Sequence, residues 1–349
     1  MATETTPGGG LPRARMFAIA GAAVVVALVV VGLAFLATGG TDAAKPKAVT
    51  KPTTSKPLPG RPSIALPPVA DAPQDPAARV AWAKAQQAAH PGSTATLALA
   101  AAQAAAGDDA AARATLAGDT SPDAQAARAL LEYDAADPAT SIAKLKALAV
   151  AAPNDPFVGF SYGEALLWSG QRAVGEAALR TVRDTNADAF YGVAADDLLH
   201  PAMPTGYPPY VSATPIPART LAQLKSAAIA HADQLQPQIN YGAALLAAGQ
   251  RTAAVDAFLG ALAVDPGSVE AKVGKIIATY SKDNPAASFG QMGPLVRDNP
   301  DNPSPRLHLA LMLLWLRDPD TARAELRQVS ALDPNSRLGQ VAKQFLASL

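Results

Sequence analysis

Hydrophobic and polar positions divide the chain into stretches of different texture. Residues 1–15 are short, polar and glycine-rich, ending in Arg13 and Arg15. From Met16 to Ala37 run 22 residues without a charge, among them Val24-Val25-Val26, Leu28-Val29-Val30-Val31 and Leu33-Ala34-Phe35-Leu36. At about 1.5 Å rise per residue this run, as a helix, spans the roughly 30 Å hydrocarbon core of a bilayer. It exceeds the apolar region of about 7 to 15 residues usual in a cleaved signal peptide. It also leads into Thr38-Gly39-Gly40-Thr41-Asp42 rather than a small-x-small site. The pattern therefore predicts a transmembrane helix over 16–37, with a cleaved leader as the alternative. From 38 to 75, eight prolines from Pro46 to Pro73 stand among Lys, Thr and Ser. Such a composition cannot bury a core and prefers extended polyproline-like backbone, reaching on the order of 100 Å if fully stretched at about 3.1 Å per residue. It reads as a spacer, or as a tether of no set length.

Beyond Asp75 the chain turns to Ala, Leu and Gln, and a punctuation mark recurs. Asp75-Pro76, Ser121-Pro122, Asp137-Pro138, Asp155-Pro156, Asn284-Pro285, Ser304-Pro305 and Asp318-Pro319 each place a short polar side chain before proline. The polar oxygen can accept from an orphan N–H of a first helical turn, and proline at the first position loses only a donor that had no partner. These dipeptides predict helix starts. Gly107, Gly170 and Gly249 fall between paired helices, where the backbone must take a positive φ.

The marks are periodic. Pro266, Pro300 and Pro334 are spaced by 34 residues, and 161–172 and 240–251 are identical at eight of twelve positions. A fixed period near 34 signals a helical array. Units then run over 122–155, 156–189, 235–268, 269–302 and 303–336, with a shorter first unit at 93–121. A helix near 76–89 precedes them and one near 337–348 closes the array. The chain resembles the tetratricopeptide repeat (TPR), most fully in the fifth unit. There the small residues implied at positions 8, 20 and 27 are Gly242, Ala254 and Ala261, and the bulky position 24 is Phe258. Other units depart from the pattern, as with Leu148, Val182, Leu295 and Val329 at position 27 and Lys275 at position 7. The implied fold is all-α: a TPR-type helical-repeat superhelix of about seven helix pairs plus capping helices, over 76–349.

One interval breaks the period. Between 189 and 235 lie 45 residues, 11 more than one repeat. The excess sits in a proline-rich insertion at 200–219, where Pro201, Pro204, Pro208, Pro209, Pro215 and Pro217 rule out helix and Tyr207 and Tyr210 supply aromatic surface. Either a linker separates two arrays, or a fourth unit keeps helices near 188–199 and 219–233 and loops the insertion out between them. The second arrangement, one continuous superhelix, accounts for the length best.

Charge and composition narrow the function. Lys plus Arg equals Asp plus Glu at 29 each, and there is no cysteine. The balance gives no field that would steer the chain to nucleic acid, and the absence of thiols excludes disulfides, thiolate metal sites and a cysteine nucleophile. Gly159-Phe160-Ser161-Tyr162-Gly163 matches G-x-S-x-G, a hydrolase pattern that needs a strand, a sharp turn and a helix. Ser161 instead falls inside the first helix of a repeat, and the twin segment at Tyr241-Gly242 lacks the serine. Asp196, Asp197 and His200 share a helix turn but make an incomplete metal site. No cofactor motif is present.

What remains is surface. In tetratricopeptide arrays the first helix of each unit lines a groove, and the resemblance places Phe160, Glu164, Leu167 and Trp168 there in the third unit and Asn240 in the fifth. Val273, Ile277 and Tyr280 follow in the sixth, and Leu307, Leu311, Leu314 and Trp315 in the seventh. The partner-binding candidates are Phe160, Glu164, Trp168, Asn240, Ile277, Tyr280, Leu311 and Trp315, unless these side chains pack the superhelix on itself. Burying apolar side chains of a bound peptide or helix contributes roughly 25 cal/mol per Å² before ordering costs. The family's clamp for chaperone C-termini wants Lys and Asn, and only Asn240 meets it. The layout suggests a non-catalytic, membrane-anchored interaction scaffold, with residues 16–37 in the bilayer and the N-terminal tail, 1–15, cytoplasmic. The C-terminal domain is then extracytoplasmic. One anchor before a repeat domain resembles bacterial cell-envelope assembly factors. A purely structural spacer, a hydrolase acting through Ser161 and a lytic cell-wall enzyme are the alternatives.

Overall fold

Helix starts follow the dipeptides closely. In the computed structural model, which describes residues 57–349, Asp75, Ser121, Asp155 and Asp318 cap helices with their side chains, each followed by proline in the first turn. Three positions differ. Pro138 is itself the cap of its helix, Asn284 precedes a helix that starts at Pro285 but makes no side-chain cap bond, and Ser304-Pro305 lies inside a first turn that Asn302 caps two residues earlier. Segments 1–15 and 16–37 and the linker up to residue 56 lie outside the described residues. Among the described residues no helix is long and apolar enough to cross a membrane.

Sixteen α-helices and no strand occur among the described residues. A leading helix, α1 (Pro76–Ala89), is followed by α2 (Ser93–Ala105) and α3 (Asp109–Leu116), α4 (Pro122–Leu131) and α5 (Ala139–Ala151), and α6 (Pro156–Trp168) and α7 (Arg172–Thr185). Then come α8 (Phe190–Leu199) and α9 (Leu221–Ala230), α10 (Leu235–Ala247) and α11 (Arg251–Val264), and α12 (Val269–Ala278) and α13 (Pro285–Asp298). The series ends with α14 (Pro303–Trp315), α15 (Pro319–Leu332) and the closing α16 (Arg337–Ser348). Seven pairs and two flanking helices make the all-α repeat array, and the described residues form one compact unit.

Pairs α6–α7, α10–α11 and α14–α15 pack most extensively, and each first helix also packs on the first helix of the next unit. Packing is close at Phe258, fully buried between two helices that can approach only through glycine. A Cβ at Gly242 would lie 3.0 Å from its ring and one at Gly274 only 2.2 Å. The fourth pair departs from this plan. Helix α8 packs on α6 and α7, and α9 on α10, with no packing between α8 and α9. The first helices therefore form two rows, α2–α4–α6–α8 and α10–α12–α14–α16, interrupted where the insertion leaves the helical path.

Polar contacts join the rows across that seam. Asp188 accepts from the N–H groups of Thr252 (2.8 Å) and Ala253 (3.4 Å), serving the free N-terminus of α11 in place of Gln250, which makes no side-chain cap bond. Arg183 and His200 both reach Asp283, at 2.8 and 3.0 Å.

Turns inside the pairs carry a testable difference. Gly107, Gly170 and Gly249 have φ of 85°, 79° and 75°, while Arg317 takes the equivalent place in the seventh unit at φ 63°. The left-handed conformation costs a residue with a Cβ about 1 kcal/mol or more. Arg317→Gly is expected to raise unfolding free energy by about 0.5 to 1 kcal/mol, measured by urea denaturation; a loss of stability would show that the arginine side chain outweighs the strain.

Candidate functional site

The apolar rows that the repeat pattern assigns to a groove are covered by the chain's own extended segments. On the second row lie residues 204–214 of the insertion. Tyr207 and Tyr210, expected as aromatic surface, face inward. The Tyr207 hydroxyl donates to Asp196 Oδ2 at 2.9 Å, and the Arg251 guanidinium sits 3.5 Å from the centre of its ring. The Tyr210 ring stacks on His308 at 5.0 Å and meets Phe258 edge-on at 5.5 Å. Burial, and then the nearby Glu270 carboxylate, raise the Tyr210 phenol well above its ordinary value, so it stays neutral and donates to Glu270 Oε1 at 3.3 Å.

Side chains of the helices hold the backbone of this segment. The N–H of Gly206 donates to Asp197 at 3.0 Å, that of Ala213 to Glu270 at 2.8 Å and that of Val211 to His308 Nε2 at 3.0 Å. Lys282, whose side chain is fully buried and ion-paired with Asp197, donates to the carbonyl of Pro204 at 3.1 Å. Arg337 donates to the carbonyl of Ser212 at 3.0 Å, and the Ser212 hydroxyl to Glu270 at 2.8 Å.

The first row carries a lighter cover, residues 61–66 of the proline-rich linker. Arg61 makes a bidentate pair with Asp109, with Nη2 2.6 Å from Oδ1. Both partners are substantially exposed, so the pair contributes little. The Ser63 N–H and hydroxyl both donate to Glu164 Oε1, at 3.0 and 3.3 Å, and the Tyr191 hydroxyl donates to the Ala65 carbonyl at 3.2 Å. Ile64 and Leu66 pack on the cluster that includes Leu130, Tyr133 and Leu166, and Ala65 lies against the cluster joined by Trp168 and Tyr191. Glu164 is 3% exposed, its Oε2 has no hydrogen-bond partner, and burial pushes its pKa up to about 7 against the opposing Ser63 bonds.

The candidates read from the repeat register divide accordingly. Phe160, Glu164, Ile277, Tyr280 and Leu311 are buried, and Trp168, Asn240 and Trp315 partly so. Ile277 and Tyr280 share a cluster with Tyr207, Tyr210 and Trp315, and Leu311 one with Val211 and Ala213. Counted from Leu235, the fifth position of that unit is Ile239, so Asn240 stands one residue past it. Its side chain accepts from Gln236, which also donates to Thr214 of the insertion. The sequence register missed Glu270, Lys282, His308 and Arg337; of these His308, alone among Leu and Ala in the middle of its helix, carries the clearest signal in the sequence.

Two other motifs resolve. Ser161 is fully buried in the middle of α6, with no strand or sharp turn before it. Asp196, Asp197 and His200 are engaged by Arg183, Tyr207, Lys282 and Asp283. Among the described residues no group of three metal-ligating side chains is placed to hold an ion. The seam itself contains an open pocket of about 500 Å³, lined by Arg183, Asp188, Asp196, Arg251 and Lys282, whose opposite charges largely neutralise one another.

No family model matches the chain, and no curated protein matches its sequence. Among solved structures it is similar to the Cut9–Hcn1 hetero-tetramer of the APC/C, at TM-score 0.30 and 11% identity over 78% of this chain and 52% of that one. It is also similar to yeast Tom70, at TM-score 0.32 and 12% identity over 78% and 70%. The TPR domain of P58(IPK) matches at TM-score 0.25 and 13% identity over 78% and 94%. The chain thus spans about half the length of the first of these.

His308 supplies a pH test. A backbone N–H can only donate, so Nε2 accepts from Val211 and the proton sits on Nδ1, donating to the Ser304 carbonyl at 2.7 Å. Burial lowers the His308 pKa from 6.5 to about 4, opposed by the Ser304 bond. The folded chain therefore binds fewer protons between these values, and the stability His308 lends above pH 6.5 is lost as pH falls toward 4. Glu164 has the opposite sign: its raised value favours proton uptake in the folded state, so stability is lost as pH rises from 4.5 to about 7. His308→Gln is expected to flatten the fall in unfolding free energy on acidification, read by urea denaturation, by up to on the order of 3 kcal/mol. An unchanged acid limb would mean that the imidazole does not hold the insertion.

Proposed function

We propose that this chain is a membrane-anchored, non-catalytic scaffold for protein–protein interaction in the cell envelope, taking a partner segment on the first helices of its repeats. The carrying observation is that both helix rows already hold polypeptide in extended form, through side chains that meet its backbone and pockets that take its apolar groups. A surface that accommodates one extended segment has the spacing and chemistry to accommodate another.

The two rows are unequal. Residues 204–214 are held by buried aromatic packing and a network of bonds, whereas 61–66 rest on a few bonds, an exposed ion pair and the partly buried Ile64 and Leu66. The row over α4, α6 and α8 is therefore the one we assign to the partner. Ser161, buried in its helix, offers no nucleophile to a substrate. The charge-free run from Met16 to Ala37 supplies the anchor, and the proline-rich stretch after it carries the array away from the bilayer on the extracytoplasmic side.

A photo-crosslinking residue placed in living cells at Trp168, on the first row, is expected to yield a discrete protein adduct. The same residue at Leu259, exposed on the second helix α11, should yield none. Equal adducts, or none from either, would remove the scaffold role and leave a structural spacer. Protease added to intact protoplasts should digest the repeat domain; protection would reverse the topology.

A further inference from the structure

Glu164 is a poor match for the segment that covers it. It is 3% exposed in the middle of an apolar helix, and both bonds from Ser63 go to one oxygen, leaving Oε2 buried with no hydrogen-bond partner. A carboxylate removed from water this far needs donors on both oxygens, and preferably a positive charge. The cover supplies neither. Its one cation near the row, Arg61, is spent on Asp109. The Tyr133 hydroxyl, buried in the cluster on which Ile64 and Leu66 pack, also has no partner.

The cover is built to leave. Pro62 is buried, but residues 61 and 63 are exposed and 64–66 only partly buried, and no helix of the array depends on them for its own hydrogen bonds. The segment belongs to a proline-rich stretch with little ordering entropy to lose on release or docking. Its proximity gives it an effective concentration on the row that a separate molecule must overcome.

We propose that residues 61–66 are an intramolecular ligand of the first row, and that the occupant which replaces them is an extended peptide segment of a partner protein carrying a basic side chain that pairs with Glu164. This deepens the scaffold reading and rests on it for the identity of the site. A lysine or arginine at that point donates to both carboxylate oxygens. Apolar residues following it occupy the places of Ile64 and Leu66.

The test uses the full chain in detergent micelles and a synthetic peptide of residues 57–68, in native form and with Ser63→Lys in the peptide. Binding is measured by calorimetry to the wild-type chain and to a chain carrying Arg61→Glu with Ile64→Asp, which weakens the docked cover. Both peptides are expected to bind the double variant about tenfold more tightly than the wild type, because the internal competitor is gone. The lysine peptide should exceed the native one by about tenfold, and Glu164→Gln in the same background should abolish that preference. Equal binding to wild type and double variant would overturn the intramolecular ligand. No binding to the double variant would overturn the row as a docking site. A lysine preference that survives Glu164→Gln would overturn the assigned contact. If the double variant loses its cooperative helical melt, Leu66→Asp alone takes its place. Peptide exchange as described, with no adduct from Trp168 in cells, would leave the internal ligand standing and remove only the scaffold role.

Discussion

An extended chain laid across helices brings its backbone N–H and C=O groups with it, and in a partly buried groove each must find a partner. That requirement governs the second row. Asp197, Glu270 and His308 accept from Gly206, Ala213 and Val211, while Lys282 and Arg337 donate to Pro204 and Ser212. Helices α8, α12, α14 and α16 and the turn after α12 each supply a member of this set, so the insertion ties together elements that otherwise meet only their immediate neighbours. Remove the segment and five polar or charged side chains, Lys282 and His308 among them buried, each lose a bond at once.

The same requirement explains why the fourth pair is open. In a closed hairpin α8 and α9 would fill the gap between Leu199 and Leu221 with each other's apolar faces. Here the chain leaves α8, crosses the second row and returns to α9, and the seam is closed by Asp188 on the α11 terminus and by the charges around Asp283. Polar contacts of this kind are weaker per unit area than helix packing, and water shares in them. The array is thus two well-packed stacks joined by a softer middle.

Much of the fold was legible because it is written in local chemistry. A polar residue before proline caps a helix by local geometry, as at Asp75, Ser121, Asp155 and Asp318, and glycine at the turn of a pair answers a φ that few other residues tolerate. Gly170 and Gly249 show the rule, and Arg317 shows its exception. The period of 34 residues then placed the pairs. The groove was less legible. Repeat register identifies which positions face it, but not that Ile277, Tyr280 and Leu311 would be covered from within, because that depends on where an irregular segment 60 to 100 residues away in sequence comes to rest. Glu164, Glu270 and His308 were the available clue. Glu164 and His308 stand in largely apolar helices and Glu270 among Val273, Ile277 and Tyr280 of its groove positions, and a side chain that costs desolvation implies a partner to meet it.

The covered first row has a mechanical side. Residues 61–66 are the first part of the described chain to touch the array, ahead of α1. Any tension entering from residue 57 is therefore borne by Arg61 and Ser63 before it reaches a helix. An exposed ion pair and two short bonds yield to force well before the packed pairs behind them. A pull along the tether would strip the row bare while the stacks stay folded, so the array would change its surface under load without changing its shape.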